Sequence, residues 1–273
     1  MNASLPSHDT RGEAPPLVLL HGWAMSPAVW APLRALLGDR PVLAPALPGH
    51  AGAVPARHAA PEDLLAAWSD ALLARLPQQA TLVGWSLGAL LALDIAARHP
   101  MRVARLVLIS STARFVADVP DTAAVTQPAT AWPGLAAETV AAFCNGFAQS
   151  PQATLRRFLA LQCLGEATRK VLADQLESCL APEHRGGTGE HAGLRAGLEL
   201  LACADLRPAL AQVRQPCLLI HGEHDALMPV AASRMLAQAL PDAQLAHLPA
   251  GGHALPLSHA ADCARLIERF MHG

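Results

Sequence analysis

The segment around Ser86 constrains the fold of this chain more than any other. A short apolar run at 81–83 leads into GWSLG at 84–88, and an apolar stretch with helical character follows. The pattern predicts a buried strand, a sharp turn and a helix, with a G-x-S-x-G motif at the turn. Such a turn strains its central residue and crowds the flanking chain, which favours glycine on both sides. It would expose the serine hydroxyl at the positive end of the helix, where a developing oxyanion is stabilised.

Apolar runs with strand character recur along the chain, at 17–20, 41–44, 103–109, 217–220 and 243–248. Helical patterns alternate with them, at 61–76, 87–98, 230–240 and from about Ser258 onward. This alternation predicts an α/β fold with a mostly parallel central sheet flanked by helices. Ligands of such sheets bind beyond the carboxyl ends of the strands.

The alternation stops after residue 112 and resumes near residue 206. Loop-like sequence is followed by helical periodicity without strands, and Leu155, Phe158, Leu159 and Gln162 share one helical face. Further helices are predicted at 168–180 and 192–203. The predicted organisation is a flexible lead-in at 1–16, a core at 17–112 and 206–273, and an inserted α-helical cap at 113–205.

Three residues at predicted strand ends could form a hydrolytic triad: Ser86, Asp225 and His253. A neutral serine is a poor nucleophile and needs a base within hydrogen-bond reach. His253 would take the serine proton and return it to the leaving group. Asp225 would fix the tautomer of the imidazole and stabilise its charged form.

Other histidines and aspartates are less well placed for these roles. His247 lies within a strand pattern and His259 within the terminal helix, whereas His253 occupies a glycine-flanked loop after the last strand. Asp63, Asp70 and Asp94 are surface or helix residues that follow no predicted strand end.

An oxyanion intermediate needs two main-chain N–H donors. One is predicted at Leu87, directly after the nucleophile, and the other at Trp23, which follows His-Gly at the end of the first strand. Trp23 and Trp85 could line an apolar acyl pocket or simply pack in the core.

Composition excludes several other classes. The net charge of −2 argues against general nucleic-acid binding, and neither a membrane span nor a signal peptide is expected. The six cysteines lack C-x-x-C spacing and are expected to be free thiols in a reducing cytoplasm. The thirteen histidines show no metal-ligand pattern, so no metal or other cofactor is expected. A monomer is expected.

Several stretches resemble the α/β-hydrolase superfamily, namely LVLLHGWAM from residue 17, GWSLGALLA from 84, LVLISS from 106 and GGHALPLSH from 251. RFLALQCLG from 157 and GLELLACADLRPAL from 197 resemble, more narrowly, the carboxylesterases that act on the methyl ester of pimeloyl-acyl-carrier protein in biotin synthesis. The resemblance implies hydrolysis of that ester through an acyl-enzyme, with release of methanol.

The same resemblance implies two sets of contacts. Ester or acyl contacts are implied at Trp23, Ser86, Leu87, His253, Phe158, Leu159, Ala160, Leu161 and Gln162. Docking of an acidic acyl-carrier protein is implied at Arg157 and Arg169, beside which lie Arg156 and Lys170. The alternatives are core packing of the cap for the first set and a solvated helix face for the second.

Two other functions remain open from the sequence. A different small-molecule hydrolase of the superfamily, such as a general esterase, lactonase, thioesterase or aminopeptidase, would share the turn and differ only in its pocket. A non-catalytic binding protein on the same scaffold is a further alternative, although such a protein would usually lack a triad member.

Overall fold

In the computed structural model, which describes residues 15–53, 60, 63–118, 131–181 and 191–273, the chain forms one parallel sheet covered by helices. Most of the predicted lead-in lies outside the described residues. The strands are β1 Leu17–Leu20, β2 Val42–Leu43, β3 Ala80–Trp85, β4 Val103–Ile109, β5 Cys217–Gly222 and β6 Ala243–Leu248. Their order in the sheet is β2-β1-β3-β4-β5-β6, and each neighbouring pair is parallel. The α/β prediction is therefore confirmed.

The helices in the described part of the chain are α1 Ala31–Arg34, α2 Leu64–Leu73, α3 Leu87–Arg98, α4 Ala137–Gln149, α5 Pro151–Gln162, α6 Arg169–Cys179, α7 Ala192–Cys203, α8 Val230–Ala239, α9 Leu255–Ser258 and α10 Ala260–His272. None of these helices is long and apolar enough to cross a membrane. Helices α4 to α7 all fall between β4 and β5, where the sequence predicts the cap.

Several predicted boundaries were wrong by a few residues. The helix predicted at 61–76 ends at Leu73. Pro77 disfavours a helical conformation at the residue before it, so the helix does not reach its predicted end. The strand predicted at 41–44 is shorter, and β3 and β5 extend further, to Trp85 and Gly222. The last helix begins at Ala260.

The buried strands explain why the site lies where it does. All four residues of β1 and all six of β3 are buried, as continuous apolar runs in a doubly covered sheet should be. Because every strand points the same way, the chain segments after β1, β3, β4, β5 and β6 emerge at one edge of the sheet. The predicted site residues of the core follow these strands.

Candidate active site

Ser86 occupies the strained turn between β3 and α3. Its backbone angles, φ 54° and ψ −116°, lie in a region that residues with a side chain rarely adopt. A Cβ added at Gly84 would lie 2.5 Å from the Cα of Ala89, and one at Gly88 would lie 2.2 Å from the carbonyl oxygen of Leu20. Both flanking positions therefore require glycine, as the sequence predicts for this turn.

Asp225 and His253 form a buried acid–base pair beside this turn. The Nδ1 of His253 lies 2.8 Å from Oδ2 of Asp225, and the other carboxylate oxygen accepts main-chain N–H bonds from Leu227 at 2.9 Å and Met228 at 2.8 Å. Burial alone would raise the pKa of the Asp225 carboxyl, but the adjoining His253 ring and these donors hold the pKa below its ordinary value. The carboxylate stays ionised and can orient the imidazole.

Ser86 and His253 line the same small cavity at this edge of the sheet. The structure thus brings together three residues that are far apart in the chain. Ser110, Ser111 and Thr112, which follow β4, line that cavity as well. Sequence reasoning missed these three hydroxyl residues, although their position at a strand end was a signal that could have found them.

The loop that carries His253 is fixed from two sides. The main-chain carbonyl of His253 accepts a hydrogen bond from the Trp85 indole at 2.8 Å and another from the Ser110 hydroxyl at 3.0 Å. Ser110 itself has a positive φ of 47°. Trp85 therefore anchors the histidine loop and, within the described residues, does not line the large apolar cavity described below.

The main-chain N–H groups of Leu87 and Trp23 are the predicted oxyanion donors. Leu87 is the first residue of α3, where a main-chain N–H has no partner within the helix. No acceptor among the described residues binds the N–H of Trp23. The next residue, Ala24, has a positive φ of 64° and donates its own N–H to Nε2 of His50 at 3.1 Å. His50 therefore helps fix the backbone beside the Trp23 donor.

His21, at the start of the same loop, is expected to make the stability of the protein depend on pH. Burial, assisted by the neighbouring His50 ring, lowers its pKa from 6.5 to about 3. Below pH 6.5 the His21 imidazole binds a proton in the unfolded chain but stays neutral in the folded chain. We expect the free energy of unfolding to fall by about 1.4 kcal/mol per pH unit from this residue as the pH drops below that point.

Urea unfolding at pH 7.5, 6 and 5 tests this expectation in a window above most carboxylate titrations. The His21→Gln variant should be less stable at pH 7.5 but should show a shallower decline. A decline of equal slope in both proteins would assign the acid sensitivity to other groups, among them His221, whose pKa burial also lowers.

A larger apolar cavity of about 340 Å³ adjoins the small one, since Phe115 and Leu201 line both. Its walls include Trp23, Phe158 and Leu161, and the Trp23 and Phe158 rings meet edge to face with centroids 4.9 Å apart. This volume lies within the range of small-molecule sites. The cavity can hold an aliphatic chain.

The other predicted acyl contacts on α5 lie in different environments. Leu159 and Ala160 line a separate groove beside α6, together with Arg156. Gln162 is fully buried, and neither polar atom of its amide has a hydrogen-bond partner in the described part of the chain. Of the predicted segment 158–162, only Phe158 and Leu161 line the apolar cavity that Trp23 also lines.

The four predicted docking cations are exposed on α5 and α6. They are Arg156, Arg157, Arg169 and Lys170. Arg157 also lines the apolar cavity, so one cation lies where the cavity meets the surface. Among the residues that the structure describes, no cluster of three or more His, Cys, Asp or Glu side chains could hold a metal ion.

Comparison with known proteins adds to this geometry. A family model described as alpha/beta hydrolase fold matches residues 15–260. The chain is 53% identical to the pimeloyl-[acyl-carrier protein] methyl ester esterase of Aromatoleum aromaticum, covering 95% of this chain and 99% of the relative. It is 36% identical to the biotin biosynthesis bifunctional protein BioHC of Teredinibacter turnerae, covering 93% of this chain and 44% of that protein.

Among solved structures, an esterase from Exiguobacterium antarcticum superimposes with a TM-score of 0.77 at 18% sequence identity, covering 96% of this chain and 93% of the other. At that identity the likeness concerns the fold.

Proposed function

The chain belongs to the alpha/beta hydrolase fold family, and from that premise we propose that it is a serine carboxylesterase that hydrolyses the methyl ester of pimeloyl-acyl-carrier protein in biotin synthesis. The single observation that carries the proposal is a pair of neighbouring cavities that share Phe115 and Leu201 as lining residues. Ser86 and His253 line the smaller cavity, and the larger one is apolar. The relative from Aromatoleum aromaticum supports the choice of substrate.

In the proposed reaction, His253 removes the proton of Ser86 as the hydroxyl oxygen attacks the ester carbonyl. The main-chain N–H groups of Trp23 and Leu87 stabilise the oxyanion that forms. The intermediate collapses, His253 gives its proton to the departing methoxide, and methanol leaves an acyl group on Ser86. Water, deprotonated by His253, then releases the free carboxylate and restores the serine. Asp225 stabilises the imidazolium in both halves.

The methylene chain of the substrate would occupy the apolar cavity against Trp23 and Phe158, where side chains of α4, α5 and α7 of the proposed cap line it. The carrier protein would then lie outside, against α5 and α6. The six cysteines are free thiols, which supports the proposed cytoplasmic location.

Complementation tests the proposed function. The chain should restore growth without biotin to a bacterium that lacks its own pimeloyl-carrier methyl esterase. The purified protein should release methanol from the carrier-linked ester. A protein that hydrolyses p-nitrophenyl esters yet does neither would be a hydrolase with another substrate.

A charge reversal separates docking from chemistry. Because an acidic partner is steered by exposed cations, we expect the double variant Arg156→Glu/Arg169→Glu to lower kcat/KM for the carrier-linked ester by about tenfold or more. Hydrolysis of a small p-nitrophenyl ester should be unchanged. Arg157 is left intact because it lines the cavity.

The matched control is the double variant Arg34→Glu/Arg234→Glu, an equal charge change at exposed positions on α1 and α8. Equal losses in the two proteins would show a general charge effect. An unchanged kcat/KM in the double variant would remove α5 and α6 as the docking surface.

A further inference from the structure

A buried carboxylate from the segment between α5 and α6 reaches the histidine loop. Glu166 is only 6% exposed, and its Oε1 accepts the main-chain N–H of Gly252 at 2.7 Å and the Ser258 hydroxyl at 2.8 Å. The Nδ1 of His259 lies 3.9 Å from the same oxygen. Gly252 directly precedes His253, so this bond links the inserted helices to the proposed general base.

The segment that contains Glu166 also contacts the loop of Asp225, the proposed orienting acid. Gly165 has a φ of 82°, and a Cβ added there would lie 2.3 Å from the Cβ of His224, the neighbour of Asp225. A Cβ at Gly252 would in turn lie 2.8 Å from the carbonyl oxygen of Leu164. Residues 164–166 therefore pack at backbone distance against both loops.

We propose that Glu166 is a positioning residue, which holds His253 in register with Asp225 and Ser86 through the N–H of Gly252; the inference rests on the proposed hydrolase function. A hydrogen bond from a main-chain donor to a carboxylate is stronger than one to a neutral acceptor. It holds the amino side of the His253 residue, while Trp85 and Ser110 hold its carbonyl. The imidazole is thus fixed from both directions along the chain.

This role should affect turnover and not substrate binding. Glu166 does not line the apolar cavity or the cavity of Ser86. Without the Glu166 carboxylate, the N–H of Gly252 loses its acceptor. The loop that carries His253 can then move, which shifts the imidazole relative to Ser86. Misplacement of a reacting group by about 1 Å can cost on the order of 100-fold in rate.

The test is steady-state hydrolysis of p-nitrophenyl butyrate by the full chain. We expect Glu166→Ala to lower kcat by about tenfold or more, with KM within about twofold of wild type. Glu166→Gln should retain most of kcat, because its amide oxygen can still accept from Gly252. Glu166→Asp, which keeps the charge on a shorter side chain, should behave like the alanine variant and replaces it if that variant does not fold.

Glu177→Ala, which removes an exposed carboxylate on α6, is the matched control and should match wild type. Thermal unfolding verifies that each variant is folded. An unchanged kcat in folded alanine and aspartate variants would overturn the inference, and so would a raised KM at constant kcat. If the wild-type protein hydrolyses no ester, both the proposed function and the inference about Glu166 are wrong. If the wild type is active and the Glu166 variants are unaffected, only the inference is wrong.

Discussion

Replacing Ser86 by alanine is expected to lower kcat for ester hydrolysis by at least about 10⁴-fold, because the acyl group of the proposed acyl-enzyme is attached to the Ser86 hydroxyl oxygen. The fold should survive the change. Alanine and serine both carry a Cβ, so the strained backbone at φ 54° is no worse for the variant. Kinetics with a p-nitrophenyl ester, together with a thermal melt, measure both effects.

Labelling with a fluorophosphonate probe provides the control for this expectation. Wild-type protein should be modified at Ser86, and the alanine variant should not be modified. Ser111→Ala, which removes a hydroxyl from the same cavity, should still be labelled. If folded Ser86→Ala retained esterase activity, the nucleophile would be another residue, and the three hydroxyls after β4 would be the first candidates.

Asp225→Asn is expected to lower kcat by about 10³- to 10⁴-fold through the wrong tautomer of His253. The Asp225 carboxylate serves two sets of donors: one oxygen faces the main-chain N–H groups of Leu227 and Met228, and the other faces Nδ1 of His253. An asparagine has only one oxygen. If it satisfies the main-chain donors, its NH₂ points at Nδ1, and the ring proton moves to Nε2, which then cannot accept the Ser86 proton.

Asp63→Asn is a matched control, since Asp63 is an exposed residue at the start of α2. It should leave kcat unchanged. A wild-type kcat in Asp225→Asn would mean that the imidazole is oriented without the carboxylate. In that case the hydrogen bonds to the His253 carbonyl would be the main determinant of its position.

The local sequence was sufficient for the scaffold. The apolar runs that became β1, β3 and β5 were identifiable because strands buried on both faces need continuous apolar sequence, and the glycines of the turn follow from close backbone contacts. Strand ends then limited the candidates for the site to a few residues. Choosing Ser86, Asp225 and His253 needed only their position after strands and their chemistry.

The faces of the inserted helices could not be assigned in this way. Periodicity puts Phe158, Leu159 and Gln162 on one apolar side of α5, but it does not say which neighbour each meets. In the structure Phe158 faces Trp23, Leu159 faces α6, and Gln162 is enclosed. Phe158 and Leu159 can differ in this way because successive side chains of a helix point about 100° apart around its axis.

The sequence by itself determined the parallel sheet, the strained turn and the three candidate catalytic residues, since each depends on patterns within a few residues or on the fixed geometry of strand ends. Only the tertiary structure decided which residues hold that site in place. Trp85 and Ser110 bind the carbonyl of His253, and Glu166 binds the amide of Gly252, across 86 residues of sequence. Such partners are brought together by packing between distant segments, and no local pattern records them.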